Sequence, residues 1–357
     1  MSERKFVIVD GSSLLSTCYY AVLPREIMFA KTDEEKEKHY GKILHASDGT
    51  YTNGIMGVLK AVASLLKKQQ PAYMAFVFDK TRDTFRRELY PDYKGTRSRT
   101  PEPLKQQFVL MERILEEAGF KVLYSGRYEA DDYAGSLVHK FREQVPVVVM
   151  TKDHDYLQLV DDGHNVRAWM VQSKQEKADE LYDKYYAPYG MDKRSVNLPE
   201  KTFEFTAGHV LAEEGVWPHQ ITDLKGIQGD TSDNIPGVKG VASAAPILLG
   251  EYGTIEEIYA AIHEAEKDKA SLKELQDFWK SGLGISRSPY KALTKTGEED
   301  ELCGEAAALL SKQLAAIKTD IAIEETLDDF HVSGYDEDKL KAWCRKLDIK
   351  EESVFGK

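Results

Sequence analysis

Three apolar runs in this sequence end in, or just before, an aspartate. Asp10 closes Phe6-Val-Ile-Val9, Asp79 closes Ala72 to Phe78, and Asp153 and Asp155 follow Pro146 to Met150. Two further groups of carboxylates stand elsewhere. Glu129-Ala-Asp131-Asp132 opens a segment whose apolar positions, Tyr133, Leu137, Val138 and Phe141, have helical spacing. Asp230 and Asp233 share one turn of Gly229-Asp-Thr-Ser-Asp-Asn-Ile-Pro-Gly237. A lone aspartate after a strand is most simply the cap of the next helix, and acidic residues in a first turn favour the helix dipole. Three carboxylates in four positions exceed those needs. Like charges so close raise one another's pKa and destabilise the fold unless a cation neutralises them. Oxygen donors without Cys or paired His suit Mg²⁺ or Mn²⁺ and disfavour zinc. Two such ions clamp the attacking and leaving oxygens of a phosphodiester. His154, between Asp153 and Asp155, reads as an outward-facing bystander.

A basic stretch adjoins one of these aspartates. Residues 80–99 carry Lys80, Arg82, Arg86, Arg87, Lys94, Arg97 and Arg99 against Asp83, Glu88 and Asp92. Phe85, Tyr90 and Tyr93 interleave with them. Cations that hold phosphates and rings that stack on bases form a single-strand binding footprint. The alternative is a solvated, charged loop. Further on, Gly237-Val-Lys239-Gly240 makes a Gly-x-x-Gly turn whose backbone N–H groups could approach a phosphate.

The elements that must position these groups alternate. Strand-like runs end at residues 10, 79, 124 and 150, and amphipathic helices lie between them. Residues 54–68 bring Ile55, Val58, Leu59, Val62, Leu65 and Leu66 to one face. Thr100-Pro101 reads as a cap and first helical position ahead of Leu104, Phe108, Met111, Leu115 and Ala118. The expected fold class is α/β, a parallel sheet with helices on both faces. In such a sheet ligands bind at the carboxyl ends of the strands, where these aspartates fall. After residue 205 the chain reads as helical. The length of 357 residues suits two domains at roughly 150 residues each. The expected division is 1–205 for the sheet domain, with insertions near 25–45 and 172–203, and 206–357 for a helical region and C-terminal extension. Residues 263–301 read as another insertion.

Composition narrows the function. With 48 basic and 60 acidic residues the net charge is −12, which excludes a uniformly basic nucleic-acid coat but suits a carboxylate-rich nuclease. No apolar run nears the ~20 residues of a membrane helix, and the N-terminus lacks a signal-peptide core. Cys18, Cys303 and Cys344 are too few and too scattered for a disulfide framework. A cytoplasmic protein with reduced thiols is expected.

Together these stretches resemble the bacterial 5′ nuclease family: the N-terminal 5′→3′ exonuclease domain of DNA polymerase I, phage 5′ exonucleases and, more distantly, flap endonucleases. The resemblance is carried by Phe6-Val-Ile-Val-Asp10-Gly-Ser, Phe78-Asp79, Thr84-Phe-Arg86 with Tyr90, Tyr93-Lys94 and Arg97, and Tyr128-Glu-Ala-Asp-Asp132. It continues through Thr151 to Asp155 with Leu157-Gln-Leu-Val160, and Gly229 to Gly240, in the family's order. It implies a PIN-like (resolvase-like) α/β domain with a helix-hairpin-helix DNA-binding region. By match, Asp10, Asp79, Glu129, Asp131 and Asp132 fall on a first metal cluster, and Asp153, Asp155, Asp230 and Asp233 on a second. Lys94 and Arg97 fall on the helical arch at the scissile phosphate, with a catalytic role. Arg86, Tyr90, Tyr93, Gly237, Lys239 and Gly240 are expected to contact DNA. The family usually continues its hairpin as Gly-Ile-Gly with a later Lys-Thr; here it reads Gly240-Val-Ala242-Ser-Ala244-Ala245-Pro246. Those replacements bear on duplex anchorage and on any monovalent-ion site in the hairpin, not on the carboxylates. His154 stands where a lysine is frequent. No polymerase domain follows, so a stand-alone protein is expected.

The expected function is a structure-specific 5′ nuclease, acting as a monomer with two Mg²⁺ or Mn²⁺ ions on DNA with a 5′ single strand or flap, or on an RNA–DNA hybrid, in primer removal or repair. Two alternatives are a PIN-like ribonuclease and a catalytically silent DNA-junction binding protein. An aspartyl-nucleophile phosphatase lacks its second aspartate at Ser12. A dinucleotide enzyme lacks a Gly-x-Gly-x-x-Gly after any strand.

Overall fold

A computed structural model describes residues 4–192, 196–297 and 301–356. Six strands form one sheet in the order β3-β2-β1-β4-β5-β6. They are β1 (Phe6–Asp10), β2 (Tyr73–Val77), β3 (Lys121–Leu123), β4 (Val147–Thr151), β5 (Val166–Val171) and β6 (Thr202–Phe205). All pair in parallel except β6, which runs antiparallel to β5. β1 is central, with β2 and β4 as neighbours, so the strand order reverses beside it. That reversal opens a crevice at the carboxyl ends of the strands.

β1 is apolar from Phe6 to Val9 because both its faces are covered. Val7 and Val9 face one core with Leu15, Ile55, Val58 and Met111, while Phe6 and Ile8 face the other with Ala134, Leu137 and Phe141. The covering helices are α1 (Gly11–Ala21), α2 (Asn53–Ser64), α4 (Glu102–Glu117) and α5 (Ala130–Phe141), with the short α3 (Phe85–Leu89) near the start of the basic stretch. The expected apolar stripes are the buried ones. Helix α4 begins one residue later than Thr100-Pro101 implies: Pro101 is its cap residue, and the Thr100 hydroxyl instead meets Arg82.

The insertion expected over 172–203 is more integral than its charge suggests. Helix α6 (Gln175–Tyr185) buries Tyr182 against Phe203, whose strand β6 completes the sheet. The segment 263–301 is likewise no mere excursion. Trp279 and Leu293 are fully buried, and the indole donates to the Tyr252 hydroxyl at 2.8 Å. Residues 193–195 and 298–300 of these two segments lie outside the described residues.

The helical region holds α7 (Ile221–Gln228), α8 (Ala245–Tyr252) and α9 (Gly304–Ala315) around a second core. The tail then returns to the sheet domain. Ile317 and Phe330 enter the core under β1, and Leu340, Trp343 and Val354 pack on the opposite one. By packing, the unit expected over 206–357 therefore ends near residue 316. Among the described residues no helix is long and apolar enough to cross a membrane.

Candidate active site

The strand-end aspartates are helix caps and site residues at once. Asp10 Oδ1 accepts the Ser13 N–H at 2.8 Å, which caps α1, and its Oδ2 accepts the Thr151 hydroxyl at 2.8 Å. Asp79 Oδ1 accepts the Ala130 N–H at 2.9 Å and so ties the end of β2 to the start of α5. Its own N–H donates to Ser12 Oγ at 2.8 Å. Asp153 accepts the Asp155 N–H at 2.9 Å.

The site divides by charge balance. Burial, then the nearby Asp79, pushes the Asp10 carboxyl up to about 7. Burial likewise raises Asp131, with Asp132 and Glu129 adding repulsion that Arg86 only partly offsets. Desolvation in the cleft also raises Asp153, exposed at its rim, against the pull of Lys225. Glu129, Asp230 and Asp233 go the opposite way. Burial would raise Glu129, but Lys94 and Arg86 outweigh it, and Lys94 with Arg97 does the same for Asp233. Asp230, held by Lys225 and Ser232 against its burial, falls to about 2.

Four protein cations produce this division. Lys94 Nζ donates to Glu129 Oε2 at 2.6 Å and lies 3.6 Å from Asp233 Oδ2. Arg97 pairs with Asp233. Lys225 bridges Asp155 and Asp230, at 2.6 Å from the latter. Arg86 lies under the cluster and takes Asp132 in a bidentate pair. Lys225 escaped sequence reasoning; its only signal is its place on α7, five residues before Asp230.

The carboxylates and the basic stretch face each other. Asp10, Asp79, Glu129 and Asp153 line a cavity of 920 Å³ together with Lys80, Arg82, Lys94, Arg97 and Arg99. A second cavity of 710 Å³ shares Ser13, Ser16, Tyr20 and Asp153 with it and reaches Asp155, Lys225 and Asp230. Arg82 braces the stretch by donating to the carbonyls of Arg97 and Ser98.

Three residues expected on DNA are elsewhere. Arg86 is 1% exposed and spends its donors inside the protein. Tyr93 is buried, and its hydroxyl donates to Glu129 or Asp233, 3.2 and 3.1 Å away, so its ring is no stacking platform. Gly237 is buried and its N–H donates to Ser311 Oγ at 2.9 Å, so it has none to offer a phosphate. Tyr90 is half-buried against the small cluster of Tyr93, Ile235 and Leu314. Lys239 and Gly240 are exposed at the hairpin tip. His154 points outward and pairs with Glu214 at 3.1 Å.

The model for the 5′-3′ exonuclease N-terminal resolvase-like domain matches residues 5–186. The model for the 5′-3′ exonuclease C-terminal SAM fold matches residues 216–283. The chain belongs to the 5′-3′ exonuclease family. The first match spans Asp10 to Asp155, and the second spans Asp230, Asp233 and the hairpin. A 5′-3′ exonuclease of Aquifex aeolicus is 29% identical over 97% of this chain and 93% of its own length. DNA polymerase I of Bacillus caldotenax is 29% identical over 97% of this chain, which spans only 31% of that protein. In three dimensions the catalytic core of Rad2, solved in complex with DNA substrate, has a TM-score of 0.52 at 14% identity, covering 96% of this chain and 88% of that one. That likeness is one of fold.

For a member of this family the question is whether these residues suit divalent cations. As the side chains stand, no three acidic or histidine groups among the described residues close round one point; the protein's own cations hold several of them instead. The donor chemistry fits nonetheless. The donors are all oxygens; Asp10 is buried, Asp131 half-buried and Asp153 open to the cleft, and the protein's own cations do not fully neutralise them. Tyr156 supports the same reading. Its hydroxyl is buried with no hydrogen-bond partner. Burial, then Asp10, Asp131, Asp79 and Asp153, raises its pKa well above the ordinary value, so it sits in the field of the same carboxylates as an unused donor.

Proposed function

We propose that this chain is a structure-specific 5′ nuclease that hydrolyses DNA phosphodiesters at a 5′ single strand or flap. The observation that carries this reading is the cavity in which under-neutralised Asp10 and Asp153 face Lys94 and Arg97. A phosphate diester brings negative charge that the arch side can bind, while the carboxylate side calls for added positive charge. Asp10, Asp79, Glu129 and Asp131 would hold one Mg²⁺ or Mn²⁺ ion, and Asp153, Asp155, Asp230 and Asp233 a second. Bound there, the ions supply Lewis acidity that lowers the pKa of water and balances charge on the phosphoryl group. The chain's own part is to orient the strand. Lys94 and Arg97 bind the scissile phosphate; Arg82 keeps their segment in place; Tyr93 holds Glu129 and Asp233 in register. Lys239 and the Gly240 turn would meet the duplex backbone.

Three free cysteines accord with a reducing, cytoplasmic setting. We read the protein as a monomer in primer removal or repair, able to accept an RNA–DNA hybrid as well.

The test is cleavage of an end-labelled 5′-flap duplex with and without Mg²⁺, comparing wild type with Asp131→Asn. Metal-dependent cutting near the junction, lost in the variant, is the expected result. Flap binding without cutting under Mg²⁺ or Mn²⁺ would instead make the protein a junction-binding one.

A further inference from the structure

We propose that Arg86 and Asp132 form a positioning pair that sets the carboxylates of α5 against the basic arch, and that neither is a DNA contact or a metal ligand. The nuclease reading motivates the proposal, but its geometry stands without that reading. Asp132 is wholly buried. Its Oδ1 accepts Arg86 Nη2 at 2.8 Å and the Lys318 N–H at 2.9 Å. Its Oδ2 accepts Arg86 Nη1 at 2.8 Å and the Glu129 N–H at 3.0 Å. Two donors on each oxygen leave no lone pair for a metal. The flanking Glu129 and Asp131 differ: Lys94 reaches Glu129 from the cleft, and Asp131 is 17% exposed and 3.8 Å from Arg86.

Arg86 connects three parts of the chain. It sits on α3 near the start of the basic stretch. Beyond Asp132, its Nε donates to the Leu314 carbonyl at 2.9 Å and Nη2 to the Ala316 carbonyl at 2.8 Å. Those carbonyls end α9, whose Ser311 holds the hairpin through Gly237. One guanidinium therefore ties the arch base, the start of α5 and the end of the helical region. A lysine carries charge but cannot satisfy this fork.

The test uses the full chain and the variants Arg86→Lys, Asp132→Asn and Asp131→Asn. Melting is followed in EDTA, Mn²⁺ binding by titration calorimetry, and flap-DNA affinity and single-turnover cleavage at a temperature where circular dichroism shows folded protein. Arg86→Lys and Asp132→Asn are expected to lower the metal-free Tm and to keep the number of Mn²⁺ sites. They should weaken Mn²⁺ affinity and cleavage about 10- to 100-fold with DNA affinity little changed. Asp131→Asn is expected to lose a Mn²⁺ site without lowering that Tm. Loss of a site in Asp132→Asn at unchanged Tm would make Asp132 a ligand. Weakened DNA binding in Arg86→Lys with normal Tm and normal cleavage at saturating DNA would make Arg86 a DNA contact. Should the single variants not fold, the paired Arg86→Met/Asp132→Leu removes both charges together. It is expected to fold and still bind Mn²⁺ weakly; wild-type affinity and cleavage in it would overturn the proposal. If wild type cuts nothing, the nuclease reading fails while the melting and Mn²⁺ outcomes still decide this one.

Discussion

Lys94 and Asp233 are joined twice. The Lys94 backbone N–H donates to the Asp233 carbonyl at 2.8 Å, and its ammonium lies 3.6 Å from the Asp233 carboxylate. The arch cation is thus docked by main chain and side chain on the acidic loop of the other region. Lys94 does this at a φ of +54°, a conformation uncommon for a residue with a Cβ. A second contact, to Glu129, anchors the ammonium on the sheet domain. Its position between the two acidic groups depends on both regions together.

Removing that cation is predicted to affect cleavage more than binding. Burial alone would lower the Lys94 pKa, but Glu129 and Asp233 raise it above the ordinary lysine value. Its charge therefore persists through neutral and mildly alkaline pH and is lost only as pH rises through that elevated value. Lys94→Met should slow single-turnover flap cleavage by about 10²-fold or more, with flap affinity changed far less because the other arch cations remain. Lys94→Arg should recover part of the rate. Equal losses of rate and affinity in Lys94→Met would show a plain DNA contact.

Asp10→Asn is predicted to stabilise the metal-free protein while abolishing cleavage. The native carboxylate is buried beside Asp79, and both burial and that neighbour oppose its charge. An asparagine oxygen can still accept the Ser13 N–H, and the amide can donate to Thr151 Oγ1. The gain in EDTA should be on the order of 1–3 kcal/mol, read from urea unfolding at pH 7.5. Added Mn²⁺ should then stabilise wild type more than the variant. A metal-free variant less stable than wild type would show that Asp10 is structural first.

The legible part of this site is the part made of local sequence. Asp10, Asp79 and Asp153 could be placed because each follows an apolar run, and strand ends in a parallel sheet meet at one edge. Arg86 and Tyr93 could not be separated from their basic neighbours in the same way. Arg86 is buried by Leu314 and Ala316, 228 and 230 positions away, and Tyr93 by Asp233, 140 positions away. Nothing within residues 80–99 distinguishes an arginine that faces Arg86's partners from one that faces solvent. Trp279 was hidden differently: its charged surroundings suggest a surface, yet helical periodicity turns that one ring into the second core. The tail's return to the sheet was also invisible, since Phe330 and Trp343 read equally well as a core of their own.

The two hairpin glycines are predicted to differ sharply. A Cβ on Gly237 would lie 2.2 Å from the Gly229 nitrogen, at a φ of +57°. Backbone cannot retreat there without breaking the Val238 N–H to Ile227 carbonyl bond that closes the hairpin. Gly240, at a φ of +88°, has nothing within 4 Å of the added atom. Gly240→Ala should therefore cost only the conformational penalty, about 1 kcal/mol. Gly237→Ala should cost several times more, through the clash and strain together. Urea unfolding of both variants decides it; similar losses would contradict the packing described for Gly237.

His209 is predicted to make the fold acid-sensitive at a place remote from the carboxylate site. Its ring lies among Tyr185 and Phe203, with centroids 4.7 and 5.1 Å away. Burial lowers its pKa; the Glu204 carbonyl and the charges of Asp162, Glu204 and Glu213 oppose the shift without reversing it. Nδ1 lies 3.3 Å from the Thr206 nitrogen and 3.2 Å from the Glu204 carbonyl: the neutral ring can accept from the first, whereas the protonated ring donates to the second and loses that acceptor. A histidine with a depressed native pKa is bound by a proton more readily in the unfolded chain. Its contribution is therefore complete above the unfolded value of about 6.5 and is lost as pH falls through the native one. His209→Gln keeps an acceptor for Thr206 but does not titrate. Wild type should be the more stable at pH 7.5, because it keeps the aromatic contacts, and its advantage should shrink towards pH 5.5. Thermal melts in EDTA at both pH values give the comparison. A constant gap would mean that His209 keeps the same protonation state in the folded and unfolded chain, and that the aromatic packing alone sets its worth.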